Sequence, residues 1–380
     1  MEHKKIEIAY VITRFRASGP INQTYYIVKN LNKELFEASV ISLFPEQEET
    51  KIGMFQELGI KIIQLNMGKA DAILHGRKRV AKVLSQIQPD IIQPVGFPPY
   101  RMTLGYKGAV KVMTLRNYCY EDYPVKYGKL IGRPMAYMDQ QFLKKQKAEG
   151  AIFVTCSSSL TKIYKKKMGI EFDYIKNGVD ATRFGLRDNQ KVVSLRKKLS
   201  IPPDKLVFVY SGKVNSRKNQ VEAIEGFLRS RISSHAVLLL LGDGEKYEEL
   251  RNKYNTHSNI IFRGNVTNIP DYLAASDIYV STSKSEGLPN GVLEAMSIGL
   301  PVLLSDIPQH MEILDSSEGV GLFYSIGNLS SLSMQIDTIA NSDIASMGKA
   351  AHISVIDNFT SEAMSERYQQ LYKRIVYLER

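Results

Sequence analysis

At 380 residues, 44% hydrophobic and 23% charged, the chain has the make-up of a folded globular protein and the length of two domains. That balance excludes a disordered chain, and the longest purely apolar run, 236–241, is far short of the ~18 residues needed to cross a bilayer. The net charge of +11 is lopsided: through residue 180 stand 28 basic and 17 acidic residues, leaving 22 of each beyond. The N-terminal half is therefore expected to face something anionic: nucleic acid, phospholipid headgroups or a phosphorylated acceptor.

Lys4 and Lys5 lead into a short strand-like run at 6–13 instead of the long apolar core of a signal peptide. Further strands are expected at 38–43, 60–65, 91–94, 110–115 and 151–156, then at 175–176, 206–211, 236–241, 260–263, 278–281 and 301–305. Helix-length amphipathic segments separate them, which implies parallel sheets with right-handed crossovers and two doubly wound domains. Pro20 is expected to open a helix running through Leu35. Turn formers at Asn177-Gly178-Val179-Asp180 place the seam between domains. Near the end, Met364, Tyr368, Leu371, Ile375 and Leu378 recur at helical spacing. Two cysteines, Cys119 and Cys156, read as buried thiols in a reducing cytoplasm.

In sheets of this kind ligands gather beyond the carboxyl ends of strands, so those segments carry the chemistry. After the strand at 278–281 comes STSKSEGLPNGVLEAMSIGLPVLLSDIPQHME, in which Pro289 is expected in the first turn of a helix ending near Gly299. The unpaired N–H groups at that helix start suit a phosphate. Glu286 precedes the helix and can reach a sugar, while Glu294, a little over one turn inside, can accept from a ribose. After the strand at 206–211 comes YSGKVNSRKN, where Gly212 permits close backbone approach and Lys213 and Lys218 can point into one crevice to neutralise a diphosphate.

With these motifs in hand, the sequence resembles the family 4 retaining glycosyltransferases (glycosyl transferases group 1) of the GT-B fold. Two glutamates with seven residues between them, Glu286 and Glu294, stand in the EGLPNGVLEAM context; NGVD, LGDGE and FRGNV leading to YLAASDIYVSTSKSEG follow the family order. The resemblance implies an α/β protein of two Rossmann-like domains facing a central cleft, with the C-terminal helix packing back on the first. It implies an acceptor domain over 1–176, rejoined by the helix 361–380, and a nucleotide-sugar donor domain over 177–360. Glu294 would then hold the donor ribose, Glu286 the hexose, and Lys213 and Lys218 the diphosphate. Gly212, Gly287, Leu288, Pro289 and Asn290 would line the donor site, and Gly19 of Ser18-Gly19-Pro20 would close on it. Three positions depart from the family pattern: Lys213 replaces an arginine, Asn219 a glycine, and Arg116-Asn117 stands where many members carry a histidine. Arg116, which cannot act as a base, either donates to phosphate or substrate, or forms a structural salt bridge.

The implied reaction moves a hexose or N-acetylhexosamine, with retention, from a nucleotide-diphosphate sugar, UDP favoured, to a glycan or lipid-linked acceptor in cell-surface polysaccharide or glycolipid assembly. No metal or other cofactor is expected: there is no Asp-x-Asp, and His3, His75, His235, His257, His310 and His352 lack ligand spacing. Tyr118, Tyr120 and Tyr123 are expected to pack instead of stacking on sugar. The basic runs Arg77-Lys78-Arg79, Lys144-Lys145 with Lys147, and 162–167 are solvated helix faces or a peripheral contact with the anionic inner face of the cell membrane. No nucleic-acid recognition element is present in the sequence. Alternatives are a nucleotide-sugar epimerase of the same fold, or a non-catalytic basic protein that binds membrane or nucleic acid.

Overall fold

In the computed structural model, residues 4–48 and 50–378 are described; His3 and the side chain of Leu378 lie outside them. The chain divides into two compact units, Met1–Gly178 with Ser361–Arg380, and Val179–Thr360.

The first unit holds seven strands: β1 (Ile6–Ile12), β2 (Phe36–Ser42), β3 (Lys61–Gln64), β4 (Ile91–Pro94), β5 (Val110–Leu115), β6 (Ile152–Thr155) and β7 (Asp173–Tyr174). They form one parallel sheet in the order β3-β2-β1-β4-β5-β6-β7. In the second unit β8 (Leu206–Ser211), β9 (Ala236–Leu241), β10 (Ile260–Gly264), β11 (Ile278–Ser281), β12 (Val302–Ser305) and β13 (Gly321–Tyr324) pair in the order β10-β9-β8-β11-β12-β13, also parallel. Each sheet reverses its direction of growth once, between β1 and β4 and between β8 and β11.

Strands covered by helices on both faces need apolar side chains at every position, not alternate ones. β9, AVLLLL, is buried throughout for this reason. One core packs Ile8, Tyr10, Ile27 and Val112 of the first unit against Met364, Tyr368, Leu371, Tyr372 and Ile375 of the helix Ser361–Leu378. Tyr10 and Tyr372 share a hydroxyl contact of 3.1 Å inside it, so the last helix returns to the first sheet with its tyrosine hydroxyls satisfied. The second unit has its own core around Phe208, Leu238, Leu240, Ile278 and Leu303.

Three expectations are corrected and one strand is added. The helix after β1 spans Gly19–Lys29 and stops six residues short of Leu35. Asn30 ends it by donating to the carbonyl of Tyr26, and Asn32 then builds a turn by accepting the N–H of Glu34. β7 lies at Asp173–Tyr174, because the apolar Ile175 that suggested a strand turns into the core. β13 was not anticipated. Pro289 sits at the N-cap with an extended ψ of 105°, leaving Asn290 as the first helical residue. Among the described residues no helix is long and apolar enough to cross a membrane.

Candidate functional site

The second unit's direction change between β8 and β11 is where a doubly wound sheet opens a crevice. Two loops meet there. The first leaves β8 at Gly212, which lies against the next strand's loop: a Cβ on Gly242 would stand 2.1 Å from the Gly212 carbonyl oxygen. Asn215 then organises a tight turn, its Oδ1 accepting the N–H of Arg217 at 3.1 Å and of Lys218 at 2.8 Å. The turn is completed by Asn219 in the left-handed region, φ 57°, before the helix Gln220–Arg229 begins. Asparagine tolerates that conformation better than other non-glycine residues, which explains how it stands where the family pattern has glycine.

The second loop leaves β11 at Ser281. Thr282 donates to the carbonyl of Asn219 at 2.8 Å and Lys284 N–H donates to that of Arg217 at 2.8 Å, so the two loops are laced together. The chain then enters the helix Asn290–Ile298, closed by Gly299 at φ 91°. Gly291 lets the first turn press onto the sheet, since a Cβ there would lie 2.5 Å from the Tyr279 hydroxyl and 3.0 Å from Ser211 Oγ. The helix start, with the partial positive charge of its dipole, is thereby seated over β8 and β11.

Glu286 lies at the junction of the two loops. Its side chain is 6% exposed, with Lys218 Nζ 2.6 Å from Oε1 and Arg217 NH1 2.9 Å from Oε2. Arg217 also donates to the Ser285 carbonyl at 2.7 Å. Burial alone would push this carboxyl up, but the charges of Lys218 and Arg217 and hydrogen bonds from Lys218 and Ser283 override it and hold it well below the usual carboxylate range. Behind it, burial brings His310 down to about 4 despite the nearby Glu286 charge, so the imidazole is neutral. His310 lies 3.0 Å from Ser305 Oγ, and Ser305 donates to the Ser283 carbonyl at 2.7 Å. Two cations against one carboxylate leave the cluster net positive beside a helix start. That combination suits a phosphate, with a fixed carboxylate left to accept from hydroxyls.

Of the residues singled out in the sequence, Lys218 and Glu286 are brought into contact. Gly287, Leu288 and Pro289 are buried beside them, Asn290 opens the helix, and Glu294 is half-buried within it. Lys213 is not brought to Glu286. It points to Glu245 at 3.1 Å, with the two side chains 61% and 49% exposed, where water screens the pair. Arg217 was overlooked, although it is a second cation directly before Lys218, and so was the buried role of His310.

Gly19 and Arg116 belong to the first unit. Gly19 begins the helix Gly19–Lys29, directly after the N-cap Ser18. Arg116 follows β5, half-buried, and donates to Asn177 Oδ1. Tyr118 packs edge-on to Tyr164 and Tyr123 donates to Asp139, so both are packing residues; Cys119 and Cys156 are buried thiols. In the basic runs, Arg79 is held by Asp71 and Lys165 by Glu171. Among the described residues no group of three or more His, Cys, Asp or Glu side chains comes together as a metal ion would need.

Residues 193–352 match the family model of the glycosyl transferases group 1. The chain is 24% identical over 382 positions to the O-antigen biosynthesis glycosyltransferase WclY of Escherichia coli, covering 97% of this chain and 99% of that one. It is 26% identical to the UDP-Gal:alpha-D-GlcNAc-diphosphoundecaprenol alpha-1,3-galactosyltransferase of Escherichia coli over 53% of this chain and 54% of the relative. Among solved structures, Anabaena Alr3699/HepE in complex with UDP and glucose superposes with a TM-score of 0.81 at 16% identity, covering 97% and 100% of the two chains. That likeness speaks for the fold.

Proposed function

We propose, from the glycosyl transferases group 1 match over residues 193–352 and the full-length similarity to a glycosyltransferase, that the chain moves a hexose or N-acetylhexosamine from a UDP-sugar to a lipid-linked or glycan acceptor, with retention of anomeric configuration. The observation that carries this reading is the buried Glu286 gripped by Lys218 and Arg217 beside the start of the helix Asn290–Ile298.

In this reading Lys218 and the helix N–H groups take the diphosphate, Glu294 the ribose, and Glu286 the hydroxyls of the sugar. As the bond from anomeric carbon to diphosphate oxygen breaks, charge grows on the leaving group, where these cations stabilise it most. The acceptor oxygen bonds to the anomeric carbon from the same face, and its proton passes to the departing diphosphate. No enzyme carboxylate has to act as nucleophile, consistent with a Glu286 already committed to two cations. The acceptor falls to the first unit, where Gly19 and Arg116 lie. UDP and a lipid diphosphate acceptor are what the named substrates and ligand of the relatives suggest for this chain.

A panel of nucleotide sugars screened for thermal stabilisation identifies the donor, since a ligand of the native state raises its melting temperature. Glu294→Ala is then expected to weaken that donor's calorimetric affinity at least about tenfold, the loss of a charge-assisted contact. Unchanged affinity refutes the donor-site assignment. Isomerisation of the donor sugar with no acceptor present would identify an epimerase instead.

A further inference from the structure

From Tyr123 to Met138 the chain contains no acidic residue. This stretch is the tip of a helical hairpin in which Cys119–Tyr127 and Lys129–Ala148 meet at Gly128, φ 77°. The two helices close tightly. A Cβ on Gly132 would lie 2.4 Å from the Tyr123 carbonyl oxygen, so only glycine lets the second helix approach. The inner side of the longer helix buries Ala136, Asp139 and Leu143.

The outer side is unusual for a surface in water. Leu130 is 93% exposed and Ile131 61%, with Val125, Tyr127, Tyr137 and Met138 also exposed. Single exposed apolar residues need no explanation, but a cluster at one protruding turn marks a contact. The exposed Lys126, Lys129 and Arg133 stand among them with no anion in the stretch. The hairpin also adjoins the helix Phe97–Met102 through the ring pair Phe97 and Phe142, 5.9 Å apart. That short helix meets Lys69–Ile87, which exposes Ile73 and Leu74 beside Lys69, Arg77 and Lys78.

We infer that the hairpin tip, Val125 to Met138, seats the protein on an anionic lipid bilayer, with Leu130 and Ile131 entering the headgroup layer. Charge complementarity singles out this occupant. Short aliphatic side chains at a turn reach the acyl boundary, tyrosines sit at headgroup depth, and lysine and arginine stems extend to anionic headgroups. Ordinary solvated lysines need no apolar side chains between them, and an acidic protein surface would leave Leu130 and Ile131 uncovered. The site differs from the basic runs that the sequence suggested, two of which are partly neutralised by their own carboxylates.

The inference rests on the reading of a lipid-borne acceptor, and its test separates the two. The full chain is floated with vesicles of phosphatidylcholine alone and of phosphatidylcholine with phosphatidylglycerol. Binding is expected only with the anionic lipid and should weaken with salt. L130S/I131S should lower it at least about tenfold, and K126Q, K129Q and R133Q about fivefold each. Thermal stabilisation by UDP should be unchanged in L130S/I131S, which shows that the variant is folded. Should UDP fail to stabilise even the native chain while flotation persists, the donor reading falls and the docking surface stands. Equal flotation of L130S/I131S and the native chain overturns the inference. So does a native dimer that this variant makes monomeric, because a second copy would then cover the tip.

Discussion

The two units share one architecture and differ in what their loops do. In the second, the loops after β8 and β11 are laced by hydrogen bonds around a carboxylate that is 6% exposed and held by two cations, Lys218 and Arg217. In the first, the excess positive charge is spread over helix surfaces, and the hairpin 119–148 turns apolar side chains outward. A doubly wound sheet thus provides two separate resources: a direction change, where side chains from non-consecutive strands converge, and helix exteriors, which are free to meet another surface. Charge in the first setting acts in a low dielectric at short range, whereas charge in the second is screened and acts collectively.

Breaking the buried cluster should have the largest effect. Lys218→Met removes the cation closest to Glu286, and donor turnover, followed as release of nucleoside diphosphate, is expected to fall on the order of a thousandfold. Arg217→Met leaves Glu286 with one cation, so Lys218 is drawn more fully to the carboxylate. Turnover should drop about tenfold or more, and urea unfolding should show a loss of ~1–3 kcal/mol because a buried charge has lost part of its compensation. Arg217→Lys should recover part of both.

The first unit offers a contrasting carboxyl. Burial pushes Asp139 up to about 6, against a hydrogen bond from Tyr123. The unfolded chain releases this proton near 3.8, so between there and about 6 the folded chain holds a proton that the unfolded one has lost. Stability therefore falls as pH rises through that window and stays lower above it. Asp139→Asn should stabilise the protein by ~1–3 kcal/mol in urea at pH 8 and make almost no difference at pH 3. Glu286 has the opposite sign: its low folded pKa contributes stability above the usual glutamate range, lost as the pH falls through and below it. Smallest of all is the exposed pair of Lys213 and Glu245. Lys213→Met should change turnover within about threefold, in line with a screened contact. A hundredfold loss would show that Lys213 leaves Glu245 for the diphosphate.

Most strands were legible because burial on both faces demands unbroken apolar runs, as in Leu206–Ser211 and Ala236–Leu241. β13 escaped because GLFY is short, opens on glycine and is only partly buried. The end of the helix at Lys29 depended on Asn30 and Asn32 capturing backbone groups, a local competition that apolar spacing does not register. At the site, Glu286 and Lys218 were readable from their context. The placement of Arg217 was not, since the turn built by Asn215 decides which of the neighbouring cations faces inward. Nor was the hairpin tip, where Leu130 and Ile131 have the residue types of a core and the exposure of a surface.

The central claim, that a donor diphosphate is held by side-chain cations and a helix start, is tested most directly by titrating UDP into the chain in a calorimeter with a chelator present. The account predicts that binding survives the chelator and weakens at least about tenfold in Lys218→Met, the loss of one charge-assisted contact. Binding that disappears with the chelator, or that is indifferent to Lys218, would contradict it.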